Sequence, residues 1–193
     1  MGQRLNVEIM KDKKVLANCY FHWSAYTSSS LSITKELVDH YLSTMKGKIT
    51  DPLYSAVKLL LQNEGSGLSQ QSLEFMNKNY PDETWPEATS RNDGLIACVN
   101  DEIEETEKWE EGRVVMDLDD ETIDFDVLFE FPLQDADDYF EEDDKFNVLE
   151  VPMLNIPLTA IPFKSIEKVE YFFNKYHTFV YDDEELIVAM PIE

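Results

Sequence analysis

The sequence predicts a single-domain α+β protein with helices packed on antiparallel sheet. Three observations carry that expectation. Stretches with the period of strands and stretches with the period of helices occur in segregated runs, not in strict βαβ alternation. The chain has 193 residues, 43% of them apolar and 12% aromatic, enough for one core and short for two. Turn and cap residues fall at the boundaries between the periodic stretches.

The opening stretch reads as a β-hairpin over residues 5–23. Leu5, Val7 and Ile9 alternate with Asn6 and Glu8, the period of two that a strand imposes. A polar turn at Lys11–Lys14 follows. Val15, Ala17, Cys19, Phe21 and Trp23 then share one face, with Asn18, Tyr20 and His22 on the other. The serines at 28–30 offer N-caps for a helix near 31–45, whose stripe is Leu37, Val38, Tyr41, Leu42 and Met45. A second helix is marked by Asp51 as N-cap, Pro52 at the first helical position and Gly65 near its end. A third runs from Ser69 to about Asn79, stopped by Pro81. Residues 80–93 read as loop.

Strand character returns at Leu95–Val99. Residues 101–111 suit a brief helix or a strand. Arg113–Leu118 and Thr122–Phe131 pair as a hairpin about Asp119–Glu121. Residues 134–145 form an acidic loop. Three prolines between 146 and 163 restrict strand there to short or edge segments. A helix follows Ser165, with Ile166, Val169, Phe172, Phe173 and Tyr176 on one side. A hairpin of His177–Tyr181 and Leu186–Met190 closes the chain.

Charge is the dominant feature. Of a net charge of −24, residues 101–150 supply −19, with 22 acids against Lys108, Arg113 and Lys145. Such a field repels nucleic acid and anionic membranes and attracts basic surfaces. No apolar leader opens the sequence and no apolar run approaches the length of a membrane span. A lone pair of cysteines, Cys19 and Cys98, defines no disulfide framework. These features point to a cytoplasmic setting.

Candidate chemistry is sparse. Cys19, His22 and Ser24 would be a thiol, a base and a hydroxyl, but on a strand Cys19 and His22 point to opposite faces. His22, His40 and His177 stand in no zinc spacing. From Asp117 and from Asp135, an EF-hand loop would need glycine at its sixth position and glutamate at its twelfth. Thr122 and Leu128 stand there in the first case, Phe140 and Phe146 in the second. No cofactor or specific metal site is expected, beyond loose divalent binding by clustered carboxylates.

Partner binding is the function that the charge favours. Asp117, Asp119 and Glu121 are spaced to form one row along a strand, and Asp124, Asp126 and Glu130 another. The loop adds Asp135, Asp137, Asp138, Glu141, Glu142, Asp143 and Asp144, with Tyr139 and Phe140 among them. Rows of carboxylates imitate the regular line of anions in nucleic acid. Trp109, Tyr139 and Phe140, if exposed, would anchor the contact. The bland alternative is an acidic face that serves solubility, yet solubility needs only modest net charge.

The acidic runs Asp117–Glu121 and Glu141–Asp144, the opening Met1–Ile9 and the segment Asn18–Tyr26 carry a resemblance of kind. The chain resembles small acidic proteins of phages and mobile elements of Gram-positive bacteria, several of which antagonise restriction enzymes or CRISPR effectors, some as DNA mimics. The resemblance implies an inhibitor that occludes the basic nucleic-acid-binding surface of a host defence enzyme in the bacterial cytoplasm. It leaves a homodimer open. The alternative is a small hydrolase or ligand-sequestering protein with a layered fold like that of N-terminal-nucleophile amidohydrolases.

Overall fold

The computed structural model describes residues 4–22, 24, 27–126, 128–131, 147–150, 154–157, 178–182 and 185–189. Strands β1 (Leu5–Lys11) and β2 (Lys14–Phe21) form the expected hairpin. Asp12 and Lys13 turn it with φ of 51° and 62°, the left-handed pair whose twist matches the flanking strands.

Helix α1 (Thr27–His40) begins earlier than the serine run predicts. Residues 28–30 therefore lie in its first turn, where backbone N–H groups lack helical acceptors and hydroxyl residues are tolerated. A π-turn over Tyr41–Met45 follows, closed by the Lys46 N–H donating to the Tyr41 carbonyl at 2.9 Å. Ser43 and Thr44 donate their hydroxyls to the carbonyls of Asp39 and His40. Such side-chain bonds compete with the regular ladder and widen it.

The next two helices form where the sequence places them. α2 (Pro52–Leu60) is capped by Asp51, whose carboxylate accepts the Tyr54 N–H at 3.1 Å. The two-residue strand β3 (Gly67–Leu68) comes next, and then α3 (Gln70–Asn79), where Ser69 accepts the Ser72 N–H at 3.0 Å. β4 (Leu95–Ala97) precedes α4 (Asn100–Glu107), which settles the ambiguous stretch as helix. β5 (Gly112–Asp117) and β6 (Thr122–Asp126) form the second hairpin. β7 (Leu128–Phe131) pairs with β8 (Asn147–Glu150), and β10 (Thr178–Asp182) with β11 (Glu185–Ala189). The helix expected after Ser165 lies outside the described residues.

The main sheet has the order β3-β4-β2-β1-β5-β6-β9, with β9 (Leu154–Pro157) at one edge. The α+β class holds, but the sheet is mixed and not purely antiparallel. β1 pairs with β5 in parallel, and so do β3 and β4. The segment from β1 to β5 contains β2, β3, β4 and helices α1 to α4. That length lets the chain return to the same end of the sheet, which a parallel pair requires.

The two faces of the sheet differ. Leu5, Val7, Ile9, Ala17, Cys19, Val114 and Met116 lie on one side. They form one core with Leu37, Val38, Ala56, Val57, Leu60 and Met76 from α1, α2 and α3. Each such buried aliphatic contributes about 1.5–3 kcal/mol. The opposite face carries Asn6, Glu8, Asn18 and Tyr20. Its polarity predicts exposure; instead Asn6 and Asn18 are 0% and Glu8 1% exposed. Helix α4 covers them, and Asn18 Nδ2 donates to Thr106 Oγ1 at 2.8 Å. Among the described residues, no helix is long and apolar enough to cross a membrane.

Candidate functional site

α4 presents its acids in a pattern that follows from helical geometry. Ile103 and Thr106 are buried. Asp101, Glu104, Glu105 and Lys108 are exposed, and their spacing of i, i+3, i+4 and i+7 places them on one stripe. Lys108 Nζ lies 3.3 Å from Glu105 Oε2, so the stripe is one ion pair with Asp101 and Glu104 beside it. Asp101 and Glu102 also sit in the first turn, where the helix dipole favours negative charge.

Trp109 follows the helix directly and is 44% exposed, the one large apolar side chain so exposed among the described residues. Its inner edge is held by Tyr20, with ring centroids 6.3 Å apart at 74°. Glu111 beyond it accepts from Arg4 at both carboxylate oxygens. Those bonds hold its carboxyl below the usual range. Trp109 is thus a half-exposed ring backed by Tyr20. The acids of α4 belong to the acidic stretch, but the acids that the sequence singles out begin at Asp117. The available signal was the i, i+3, i+4 spacing of Asp101, Glu104 and Glu105.

The hairpin acids are placed differently from a strand row. β5 ends at Asp117 and β6 begins at Thr122. Asp119 and Glu121 therefore stand in the turn, Glu121 with φ of 52°. Asp117 Oδ1 accepts the backbone N–H groups of Asp119 and Asp120. Asp119 pairs with Lys11 and accepts the Asp12 N–H, which lowers its pKa. Glu121 accepts the Tyr41 hydroxyl at 2.9 Å and lies 3.2 Å from Lys46 Nζ. These partners lower the Glu121 pKa, while burial, and then Glu121 itself, push the Tyr41 hydroxyl up to about 12. Asp117 closes the turn itself, while Asp119 ties the tip to the first hairpin and Glu121 ties it to the π-turn.

Asp124 and Asp126 both lie in β6, aligned with Val115 and Arg113 of β5. Glu130 belongs to β7, outside the main sheet. Asp135, Asp137, Asp138, Tyr139, Phe140, Glu141, Glu142, Asp143 and Asp144 lie outside the described residues.

The polar underside of the sheet holds a group that the sequence reading missed. Asn6 Nδ2 is 3.3 Å from Glu8 Oε1 and 3.3 Å from Glu110 Oε2. Arg113 Nη1 stands 4.0 Å from Glu8 Oε2. Burial outweighs this cation and, helped by Glu110 and Glu107, pushes the Glu8 carboxyl up to about 7. Among the described residues, the Oδ1 atoms of Asn6 and Asn18 have no hydrogen-bond partner.

The nucleophile candidates do not assemble. Cys19 is 0% exposed, and burial pushes its thiol up to about 12. Its neighbour is Ser66 Oγ at 3.6 Å. The His22 ring instead meets the Tyr20 hydroxyl at 3.1 Å, on the other face of the strand. Ser24 lines a cleft of about 420 Å³ with Phe21, Arg91 and Asp93. Burial likewise raises Cys98 to about 11. His40 ends α1, and His177 lies outside the described residues. Among the described residues, no three His, Cys, Asp or Glu side chains converge as a metal site. No protein-family model, curated protein or solved structure matches the chain.

Proposed function

We propose that this protein binds a basic protein surface, with the nucleic-acid groove of a host defence enzyme, a CRISPR nuclease or a restriction enzyme, as the docking site. The observation that carries the proposal is Trp109, exposed at the end of the acidic stripe of α4. Interface energy concentrates on a few buried aromatic anchors, and surrounding charge steers the encounter. A half-exposed tryptophan backed by Tyr20 is such an anchor, since its ordering cost is met before binding. Asp101 and Glu104 supply charge with no ion-pair partner of their own among the described residues. The acids of the hairpin and of residues 135–144 extend the same sign of field.

The test is displacement of duplex DNA from restriction and CRISPR nucleases by the purified protein, followed over a salt series. Inhibition should weaken steeply from about 50 to 300 mM salt, as competition between charged surfaces does. Trp109→Ala and the pair Asp101→Lys with Glu104→Lys should each weaken it at least tenfold with an unchanged melting temperature. Inhibition indifferent to salt and to all three substitutions would sink the proposal.

A further inference from the structure

A second surface of the molecule brings aromatic rings and carboxylates together. The segment from Asn79 to Glu83 leaves α3 and passes the N-terminus of α2. Between them lies an open cleft of about 340 Å³, walled by Tyr54 and Tyr80, with Asp51, Asp82 and Glu83 around it. The two tyrosine rings lie 5.4 Å apart at 54°. Behind them Trp85 packs against both, at 5.7 Å from Tyr54 and 6.2 Å from Tyr80. Three aromatic rings thus meet at steep angles, with carboxylates at their rim.

The wall already carries one cation. Lys58 Nζ stands 4.5 Å from the centroid of the Trp85 ring and 5.3 Å from that of Tyr54, and 3.2 Å from Glu83 Oε2. Faces of aromatic rings attract ammonium and guanidinium groups through their quadrupole, more strongly where water is excluded. Lys58 is not among the groups that line the cleft. The cleft presents Tyr54 and Tyr80 of the same aromatic group, with carboxylates at its rim.

The carboxylates around it have separate tasks. Asp51 is committed: it accepts the Tyr80 hydroxyl at 3.0 and 2.9 Å and caps α2. Burial, reinforced by that bond to Asp51, pushes the Tyr80 hydroxyl up to about 12. Tyr80 therefore stays neutral and fixed in place. Glu83 is shared with Lys58. Asp82 is exposed and pairs with no cation among the described residues. An incoming cation thus finds two positioned rings and one open carboxylate.

We propose that this cleft receives an arginine side chain of the protein partner. The inference rests on the reading that the chain binds a basic surface, and it gives that surface a second contact. Arginine fits better than lysine. Its planar guanidinium stacks on a tyrosine and still presents an edge to a carboxylate, whereas an ammonium is a compact, strongly hydrated charge.

The experiment is an NMR titration of the isotope-labelled full chain with blocked Gly-Arg-Gly, Gly-Lys-Gly and Gly-Gln-Gly peptides. The arginine peptide should shift the amides of Tyr54 and of residues 80–83 and the indole N–H of Trp85. It should bind at least threefold more tightly than the lysine peptide, and the glutamine peptide should not bind. Asp82→Asn, in an exposed side chain that leaves the fold intact, should weaken the arginine peptide at least threefold, and Tyr54→Leu likewise. If Tyr54→Leu does not fold, Asp82→Asn alone decides. Equal binding of the glutamine peptide, or arginine binding untouched by Asp82→Asn, would overturn the cleft assignment. Arginine-dependent shifts confined to α4 and the β5–β6 turn would overturn it too, while leaving the basic-surface reading in place. An arginine-rich decapeptide that binds nowhere would overturn both.

Discussion

Glu8 offers the sharpest test of the structure, because its burial and its partners make opposing demands. The carboxyl is 1% exposed. Four groups face it: Asn6 on its own strand, Arg113 on β5, Glu107 on α4 and Glu110 just after α4. Burial pushes its pKa from 4.5 to about 7, against the pull of Arg113. A raised carboxyl pKa means that the folded chain holds the proton more tightly than the unfolded chain. Below about pH 4.5 both states are protonated and the group costs nothing. Above about pH 7 both are ionised and the fold carries the full cost, about 3 kcal/mol at roughly 1.4 kcal/mol per pH unit. Stability from this group is therefore lost as pH rises between those values. Glu8→Gln keeps the shape and removes the titration. Its stability relative to the parent should grow by about 2 kcal/mol between about pH 5.5 and 8.5. Urea unfolding followed by tryptophan fluorescence measures it, and the difference between the two proteins cancels the other carboxylates. A difference that stays flat within about 0.5 kcal/mol would refute the argument, because Glu8 would then ionise alike in both states.

Two further outcomes follow from buried groups. Ser72 is 0% exposed; its hydroxyl donates to Glu102 Oε2 at 2.6 Å and accepts the Cys98 N–H at 2.9 Å. Ser72→Ala leaves a buried N–H without an acceptor and should cost about 2 kcal/mol in urea unfolding, roughly the penalty for one unsatisfied buried group; a loss under about 0.5 kcal/mol would contradict the network. Cys19 and Cys98, raised to about 12 and about 11, should resist a thiolate-selective disulfide reagent at pH 8 in the native protein and react at once in denaturant, whereas rapid native labelling would show that the thiols are not buried as described.

The parts of the fold that were legible in the sequence are those with local causes. Asp51-Pro52 marks the start of α2, because an acid that accepts N–H groups and a residue that lacks one both suit a helix N-terminus. Ser69 does the same for α3. The Asp119–Glu121 turn is a run of polar residues between two apolar alternations. What was not legible depends on distant partners. Alternation in β1 shows which face is polar, but not that α4, about a hundred residues later, will lie on it. Asn6, Glu8 and Asn18 thus read as solvent positions although they are buried. The parallel pairing of β1 with β5 has the same origin, since nothing within either strand specifies the direction of its neighbour. The candidate site was legible as charge and illegible as geometry. Composition places 22 of the 40 acids in residues 101–150. The structure separates those that hold the fold from those that face outward.

That separation changes how the charge bears on function. Asp51 caps α2 and holds Tyr80. Glu102 accepts from Ser69 and Ser72, joining α3 to α4. Asp119 and Glu121 fasten the hairpin tip, and Glu111 fastens Arg4. An acid that already accepts hydrogen bonds from its own fold has less of its field and fewer of its lone pairs to offer a partner. Reversing its charge also damages the fold, so lost binding would not distinguish contact from unfolding. Asp101, Glu104 and Asp82 carry none of these bonds among the described residues. Asp101 and Glu104 lie on the exposed stripe of α4, and Asp82 lies at the rim of the Tyr54–Tyr80 wall. Charge reversal at these three positions therefore tests partner binding without removing a bond that holds the fold.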